Sequence, residues 1–143
     1  MLFEAFFWDN KVSRPKPNVF FKNADFDKLL ANWGRSGDKA IIAEEGQTPV
    51  GAAWFRLWTQ ADHFYGFVAP DIPELGMALL PAYRSQGIGR MLLEKLIRLA
   101  LEDGFTALSL SVDPANYARR LYESLGFIHI GESGTSWTYK LEI

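Results

Sequence analysis

The 143-residue sequence contains no cysteine, which excludes disulfide bonds, a thiolate nucleophile and a cysteine-based zinc site. Histidine is also scarce, because His63 and His129 are the only two in the chain. They are far apart in the sequence and no pattern of carboxylates accompanies them, so they give little support to a metal site. We therefore predict no metal.

The sequence also lacks an excess of positive charge and a long hydrophobic run. Its formal net charge is -2, and no cluster of lysine and arginine approaches the density of a nucleic-acid surface, so we expect no nucleic-acid partner. The apolar start, Met1 to Trp8, is too short to span a membrane and carries Glu4. It has neither a basic start nor a small-residue cleavage site. We expect a cytoplasmic protein with no membrane partner.

Apolar and aromatic residues are plentiful, at 48% and 15% of the chain. At this length such a composition suits one compact domain with a real core, and leaves no room for a second domain. No repeat or low-complexity segment interrupts the chain. We predict a single domain over residues 1–143.

The most informative stretch joins an apolar run to a helix through two glycines. Glu74 to Leu80 is short and apolar toward its end, and proline bounds it on both sides, which predicts a buried strand. From Arg90 onward, apolar residues recur at the spacing of one helical face, and Gly104 is a natural stop. The apolar positions of this helix are Leu92, Leu93, Leu96, Ile97 and Ala100.

The segment Arg84 to Gly89 presents backbone N–H groups at the N-terminus of this helix. Gly87 and Gly89 have no Cβ to keep a ligand away, so the segment suits a phosphate or pyrophosphate. A dinucleotide fingerprint needs a third glycine where Leu92 stands, and a Walker loop needs Gly-Lys-Ser/Thr, so neither motif fits. A simple strand-to-helix turn explains the segment, taken alone, equally well.

Weaker patterns organise the rest of the chain. The predicted elements are a short helix over Leu2 to Phe7, a linker over Asp9 to Asn18, a helix over Phe26 to Trp33 capped by Asp25, and a hairpin of Lys39 to Glu45 with Val50 to Trp58. Within the hairpin, the favoured interpretation of Arg56 is a solvent-facing or structurally paired side chain. Thr59 to Pro73 is a long aromatic loop that either forms part of a substrate pocket or caps the core.

The C-terminal part alternates strands and a helix. Phe105 to Val112 has one apolar face, and Asn116 and Gly126 bound a helix that turns Tyr122 toward the core. A closing hairpin of Phe127 to Ile130 with Ser136 to Leu141 is predicted around a turn at Glu132-Ser133-Gly134.

Two motifs in this order resemble the GNAT superfamily of N-acyltransferases. Arg84-Ser85-Gln86-Gly87-Ile88-Gly89 reads Arg-x-x-Gly-x-Gly and is similar to the acyl-CoA pyrophosphate loop of that superfamily. Asn116 to Phe127 reads Asn-x-Ala-x-x-Leu-Tyr-x-x-x-Gly-Phe and looks like its second cofactor-side element. The resemblance is close over Glu74 to Phe127, topological over Lys39 to Trp58, and weak over the first 38 residues.

The resemblance implies an α/β (α+β) fold with a mixed, mainly antiparallel sheet flanked by helices. Acetyl-CoA would lie in a splay between two neighbouring strands. One departure stands out, because such chains commonly begin with a strand and this one begins with a predicted helix. Either the usual first strand is absent or the helix prediction is wrong. If the strand is absent, the strand at Lys39 leaves an open edge, and we expect a homodimer that shields it.

Acyl transfer from a thioester to an amine requires a base, a stabiliser for the carbonyl oxygen and an acid for the departing thiolate. Glu74 is the candidate base, the alternative being a solvated carboxylate at the end of a strand. Tyr122 is the candidate acid, since its reference pKa of about 10 lies close above the thiol value of about 8.5. The resemblance implies the same role, and the alternative is a core tyrosine.

The remaining site residues follow from the resemblance. It implies that the backbone near Leu79 polarises the thioester, that the loop holds the pyrophosphate and that Asn116 touches the pantetheine arm. The predicted cofactor-binding residues are Leu79, Leu80, Arg84, Gln86, Gly87, Ile88, Gly89, Arg90 and Asn116.

The function implied is transfer of acetyl from acetyl-CoA to a primary amine of a small molecule or peptide, by direct attack in a ternary complex. The alternative is a catalytically silent acyl-CoA-binding module, which would have no need of Tyr122. No pattern in Thr59 to Pro73 names the acceptor amine.

Overall fold

The computed structural model describes residue 5 and residues 27–143. Its regular elements form one six-stranded sheet and two helices, joined by short turns and one long loop. The strands are β1 (Lys39–Glu45), β2 (Thr48–Arg56), β3 (Glu74–Leu79), β4 (Ala107–Val112), β5 (Ile128–Ser133) and β6 (Ser136–Glu142). The helices are α1 (Ile88–Glu102) and α2 (Ala118–Ser124), and a single 3-10 turn spans Pro81–Tyr83.

The strands are arranged in the order β1-β2-β3-β4-β6-β5. Every neighbouring pair is antiparallel except β3 and β4, which run parallel. A parallel pair needs a crossover connection, and α1 supplies it. This confirms the predicted mixed, mainly antiparallel sheet flanked by helices.

The parallel pair is joined at only one point. β2 and β3 are in register over six residue pairs, whereas β3 and β4 share the single pair Glu74 and Ser109. The N–H of Ser109 also donates to the carbonyl of Pro73 at 3.0 Å. Beyond this point the two strands separate, and a wedge-shaped opening lies beside the remainder of β3.

The helix α1 packs on one face of the sheet, as its apolar spacing predicted. Leu93, Leu96 and Ala100 are completely buried in the core formed with the apolar residues of the strands. The helix follows Gly87 and is followed by Gly104, whose φ angles of 85° and 86° suit glycine rather than an L-residue. The stop at Gly104 is confirmed, and the helix begins at Ile88, two residues before the predicted start.

Several predicted boundaries were wrong by about two residues, because strands end where pairing ends rather than where the apolar pattern does. The second strand stops at Arg56 instead of Trp58, and the fourth begins at Ala107 instead of Phe105. The closing hairpin turns at residues 134–135, so β5 extends through the predicted turn to Ser133. Pairing with β6 carries β5 beyond its apolar part.

The predictions for the start of the chain fall mainly outside the described residues. The helix over Leu2 to Phe7, the linker over Asp9 to Asn18 and the question of a first strand all concern that part. Of the helix predicted over Phe26 to Trp33, residue 27 is helical and residues 28–34 form turns. In the described part of the chain, neither helix has the length and apolar character needed to cross a membrane.

Candidate functional site

A cavity of about 550 Å³ lies where β3 and β4 separate. It follows the whole length of β3, from Glu74 to Leu79, a distance of roughly 17 Å at the usual rise of a strand. Aromatic residues of β2 and the long loop line it near Glu74, and the segment from Arg84 to Arg90, called here the glycine segment, lines it beyond Leu79. On the far side it is closed by the turn after β4 and by α2, including Asn116 and Tyr122.

Glu74 stands at the closed end of the opening and is buried, with only 8% of its surface exposed. One carboxylate oxygen, Oε1, accepts the N–H of Gly66 at 2.9 Å. The other, Oε2, has no hydrogen-bond partner among the described residues. Burial raises the pKa of Glu74 to about 7, although the Gly66 N–H and the charge of Lys28 act in the opposite direction. Glu74 is therefore not a solvated strand-end carboxylate.

Gly66 brings the long loop against the backbone of β4. A Cβ at this position would lie 2.6 Å from the carbonyl carbon of Leu110 and 2.7 Å from the nitrogen of Ser111. Only glycine allows this approach, which places its N–H on Glu74. This role of Gly66 was not predicted from the sequence, although a glycine inside an aromatic loop was the available signal.

Aromatic side chains form the walls of the cavity near Glu74. Phe64 and Tyr65 of the long loop line it, with Trp54 and Trp58 of β2 and its following residues. Phe64 is buried and stacks on Trp58, with ring centroids 6.4 Å apart. The six-membered ring of Trp54 lies over Gly76, where a Cβ would come within 2.5 Å of Cζ2. The loop thus contributes to the cavity, while Trp54 and Trp58 were not anticipated.

Arg56 is structurally paired, which is one of the two arrangements that the sequence favoured, and it is not solvent-facing. Its side chain is 2% exposed, and its Nε and Nη2 atoms donate to the two carboxylate oxygens of Asp38, each at 2.9 Å. Burial alone would raise the pKa of Asp38, but the hydrogen bonds from Arg56 and from two backbone N–H groups outweigh it and lower that pKa. Asp38 is thus ionised at neutral pH.

Tyr122 lies on α2 and both belongs to the core and lines the cavity. Its side chain is 7% exposed, and its ring meets Phe127 edge-on at a centroid distance of 5.9 Å. Burial, assisted by the nearby Tyr117 hydroxyl, raises the pKa of Tyr122 well above its ordinary value. The hydroxyl therefore remains protonated throughout the neutral range.

The end of β3 presents a backbone N–H to the opening. The N–H of Leu80 donates to the carbonyl of Val50 on β2 at 2.9 Å. Because hydrogen-bonding directions alternate along an antiparallel strand, the N–H of Leu79 points away from β2 and toward the opening. The Leu79 carbonyl accepts Nε of Arg84 at 3.2 Å. Leu80 itself does not line the cavity, and its carbonyl accepts the N–H of Tyr83.

The glycine segment contributes four of its predicted residues to the cavity: Arg84, Gly87, Gly89 and Arg90. Gln86 and Ile88 do not line it, and the Gln86 amide donates instead to the Ala82 carbonyl at 2.8 Å. Arg90 reaches across to α2, where its Nη2 donates to Ser124 Oγ at 2.6 Å.

Asn116 also lines the cavity, at the turn between β4 and α2. Its Oδ1 accepts the N–H of Ala118, the first residue of α2, at 2.9 Å. The N-cap position itself is held by Tyr117 and not, as predicted, by Asn116. No group of three or more histidine or acidic side chains within the described ranges is arranged to hold a metal ion.

Three kinds of comparison relate this architecture to known proteins. The family model described as "Acetyltransferase (GNAT) family" matches residues 3–127. The ribosomal protein bS18-alanine N-acetyltransferase of Haemophilus influenzae is 47% identical over 51 residues, which are 36% of this chain and 35% of that protein. The match thus spans about a third of the length of that relative.

Solved structures show the same fold. The ribosomal-protein-alanine N-acetyltransferase of Brucella melitensis is 26% identical with a TM-score of 0.66, over 82% of this chain and 76% of that one. The PaiA N-acetyltransferase of Thermoplasma acidophilum, solved in complex with coenzyme A, is 19% identical with a TM-score of 0.73. That likeness covers 98% of this chain and 87% of the other, and concerns the fold alone.

Proposed function

This chain belongs to the acetyltransferase (GNAT) family, and from that premise we propose that it transfers the acetyl group of acetyl-CoA to a primary amine. The amine attacks the thioester directly while both substrates are bound. The observation that carries the proposal is the position of Glu74 at one end of a cavity that Tyr122 also lines. Glu74 is a buried carboxylate, and one of its oxygens has no hydrogen-bond partner in the part of the chain that the structure describes.

Glu74 is the proposed base. An amine attacks only when neutral, so its ammonium proton must be removed directly or through water. Burial raises the pKa of Glu74 to about 7, close to the operating pH, which is where a general base is most effective. Oε2 is the oxygen available for this proton, since Oε1 is held by Gly66.

Tyr122 is the proposed acid. When the tetrahedral intermediate collapses, the carbon–sulfur bond breaks and the thiolate needs a proton or a strong hydrogen bond. The Tyr122 hydroxyl is protonated at neutral pH because burial raises its pKa. Its pKa lies further above that of a thiol than in water, so we propose that it stabilises the charge on sulfur as it develops and transfers the proton late.

The other end of the cavity suits the co-substrate. We propose that the backbone N–H groups of the glycine segment bind the pyrophosphate at the start of α1, with Arg84 and Arg90 beside it. The N–H of Leu79, which points into the opening, would then donate to the thioester carbonyl and stabilise the oxyanion. We propose that Asn116, which lines the cavity, contacts the pantetheine arm.

For the acceptor, we propose the α-amine of a peptide or protein as the first class to test. Two of the relatives named above are, by their names, N-acetyltransferases that act on an alanine of a ribosomal protein. The chemistry agrees, because an α-ammonium of pKa about 7.7–8.0 loses its proton to a base of pKa about 7 at a cost of about 1 kcal/mol. A lysine side chain, at about 10.4, would cost about 5 kcal/mol.

A thiol-release assay tests this proposal. Acetyl-CoA is supplied with a panel containing an alanine-initiated peptide, the same peptide with its N-terminus blocked and an internal lysine, a polyamine and free amino acids. We expect amine-dependent release by the wild-type protein and a loss of at least about tenfold in kcat for Tyr122→Phe, the acid's contribution being typically 10²–10⁴. A Tyr122→Phe variant as active as wild type would remove the acid assignment. Acetyl-CoA binding without release for any amine would favour the silent module.

A further inference from the structure

Glu74 has a potential cation partner directly across the sheet. In the antiparallel register of β2 and β3, Arg56 stands opposite Glu74, and both side chains line the same cavity. Directly opposite residues have Cβ atoms about 4.5–5.5 Å apart, and opposite charges at such positions normally attract each other. An arginine in this place would be expected to form an ion pair with the glutamate.

The guanidinium is instead bound on its other side. Besides the two hydrogen bonds to Asp38, its Nη1 donates to the carbonyls of Lys28 and Leu29, each at 3.0 Å. Four of the five N–H donors of Arg56 are therefore occupied away from Glu74. No hydrogen bond or ion pair joins Arg56 to Glu74 in the described structure, and only one N–H donor, that of Gly66, reaches the Glu74 carboxylate.

Asp38 is itself fixed in the position that this arrangement requires. Its side chain is 1% exposed, and Oδ2 accepts the backbone N–H groups of Gly34 and Arg35, each at 3.0 Å. A carboxylate held by two N–H groups and by a two-point contact with a guanidinium has a strong, directional pairing. The Arg56 guanidinium is thus held toward the segment before β1 and away from the Glu74 carboxylate.

We propose that Asp38 is a positioning residue for Glu74, because it keeps the Arg56 guanidinium from forming an ion pair with that carboxylate. The proposal rests on the proposed function only where it treats Glu74 as the base. An arginine beside a carboxylate lowers its pKa by about 1–3 units. A glutamate paired with Arg56 would be ionised but too weakly basic to accept an ammonium proton at neutral pH, and its oxygens would be occupied.

The other groups around Glu74 are compatible with a carboxylate that has no ion-pair partner. Among the described residues, Lys28 is the cation whose charge lowers the pKa of Glu74. Its Nζ is bound to the His63 carbonyl at 2.6 Å and to Asp62 at 3.3 Å. The long loop adds Tyr65 to the cavity, and β4 adds Ser111. Because Lys28 is held by its two partners, Arg56 is, in our proposal, the cation whose placement controls the ionisation of Glu74.

The direct test is an NMR titration of Glu74 with carboxyl-labelled glutamate, which requires no substrate. We expect a Glu74 pKa near 7 in the wild type. In Asp38→Asn we expect this pKa to fall by about 1–3 units, because the released guanidinium turns to Glu74. The double variant Asp38→Asn/Arg56→Met should restore the wild-type value, because the cation is gone. Asp103→Asn, which removes a partner of Lys39 at the surface, is the matched control and should leave the titration unchanged.

The proposal would be overturned if the pKa of Glu74 were unchanged in folded Asp38→Asn. It would also be overturned if that pKa fell and the added Arg56→Met substitution did not restore it. Should Asp38→Asn not fold, Arg56→Met alone carries the test. It should leave the Glu74 pKa within about half a unit of wild type, since the guanidinium does not act on Glu74 in the native protein. A rise of a unit or more would show that Arg56 already acts on Glu74 and would overturn the proposal.

Kinetics separate this proposal from the proposed function. With an accepted amine, the acid limb of the kcat/KM profile should move down in Asp38→Asn by the same amount as the titration, and kcat at neutral pH should fall about tenfold or more. A shifted titration in a protein that acetylates no amine would support the positioning role and contradict the enzyme. If Asp38→Asn acetylated the amine normally, with an unshifted acid limb and an unshifted Glu74 titration, the enzyme would be supported and the positioning role contradicted.

Discussion

Glu74 combines a position that the sequence reveals with an environment that it does not. Its place at the start of a proline-bounded strand leading to the glycine segment made it the candidate base. Its burial depends on Gly66, eight residues earlier in an irregular loop, whose N–H donates to Oε1. In our proposal, the pairing of Asp38 with Arg56 keeps the carboxylate from forming an ion pair. No periodic pattern links those positions, so only the folded chain shows them together.

The same burial makes the stability of the protein depend on pH. The pKa of Glu74 is raised from 4.5 to about 7, so the folded state binds this proton more tightly than the unfolded chain does. The free energy of unfolding should therefore fall as pH rises through this interval, by at most about 3 kcal/mol. Glu74→Gln has no such titration, so it should be more stable than wild type at pH 8 and lose that advantage near pH 5.

Urea unfolding of both proteins across this range measures the difference. The same substitution at the half-exposed Glu94 provides the control, which should follow the wild-type curve. Parallel curves for wild type and Glu74→Gln would contradict a raised pKa at this position. A gain in stability at pH 8 together with a loss of acetylation would identify Glu74 as a residue that costs stability and serves function.

At the scale of elements, α1 was predicted because its apolar spacing is regular over many residues, whereas the separation of β3 from β4 was not readable from either strand. Each strand pattern reports which face is buried and says nothing of where a neighbour stops pairing. The separation of these two strands was expected only from the family resemblance. The hairpin boundaries moved for the related reason that pairing, rather than apolar content, ends a strand.

A glycine lies at each end of α1, and substituting each in turn separates an effect on stability from an effect on acetyl-CoA binding. Gly87 and Gly104 have φ angles of 85° and 86°, and a Cβ at either would meet no atom within 4 Å. Alanine at each should cost about 1–2 kcal/mol through backbone strain alone. Only Gly87→Ala should also weaken acetyl-CoA binding, because Gly87 belongs to the segment proposed to hold the pyrophosphate.

Thermal unfolding and calorimetric titration with acetyl-CoA measure the two effects. We expect similar losses of stability and an increase of about tenfold or more in Kd for Gly87→Ala only. Equal acetyl-CoA affinity in the two variants would place the pyrophosphate elsewhere.

At the scale of the whole molecule, the fold class was predictable because two motifs stand in the family order with a helix and a strand between them. The oligomeric state is harder to predict from the sequence. β1 is at the edge of the sheet that the described residues form, and a first strand would have to come from residues that precede it. The homodimer that covers this edge stays a prediction.

The central claim is that one cavity brings an amine to the thioester of acetyl-CoA between Glu74 and Tyr122. The most direct measurement is mass spectrometry of an alanine-initiated peptide after incubation with isotopically labelled acetyl-CoA and the wild-type protein. We predict one labelled acetyl group on the peptide α-amine for each CoA released, with no labelled acetyl-protein. Acetyl-CoA that binds and stays intact with this peptide and every other amine of the panel would contradict the claim.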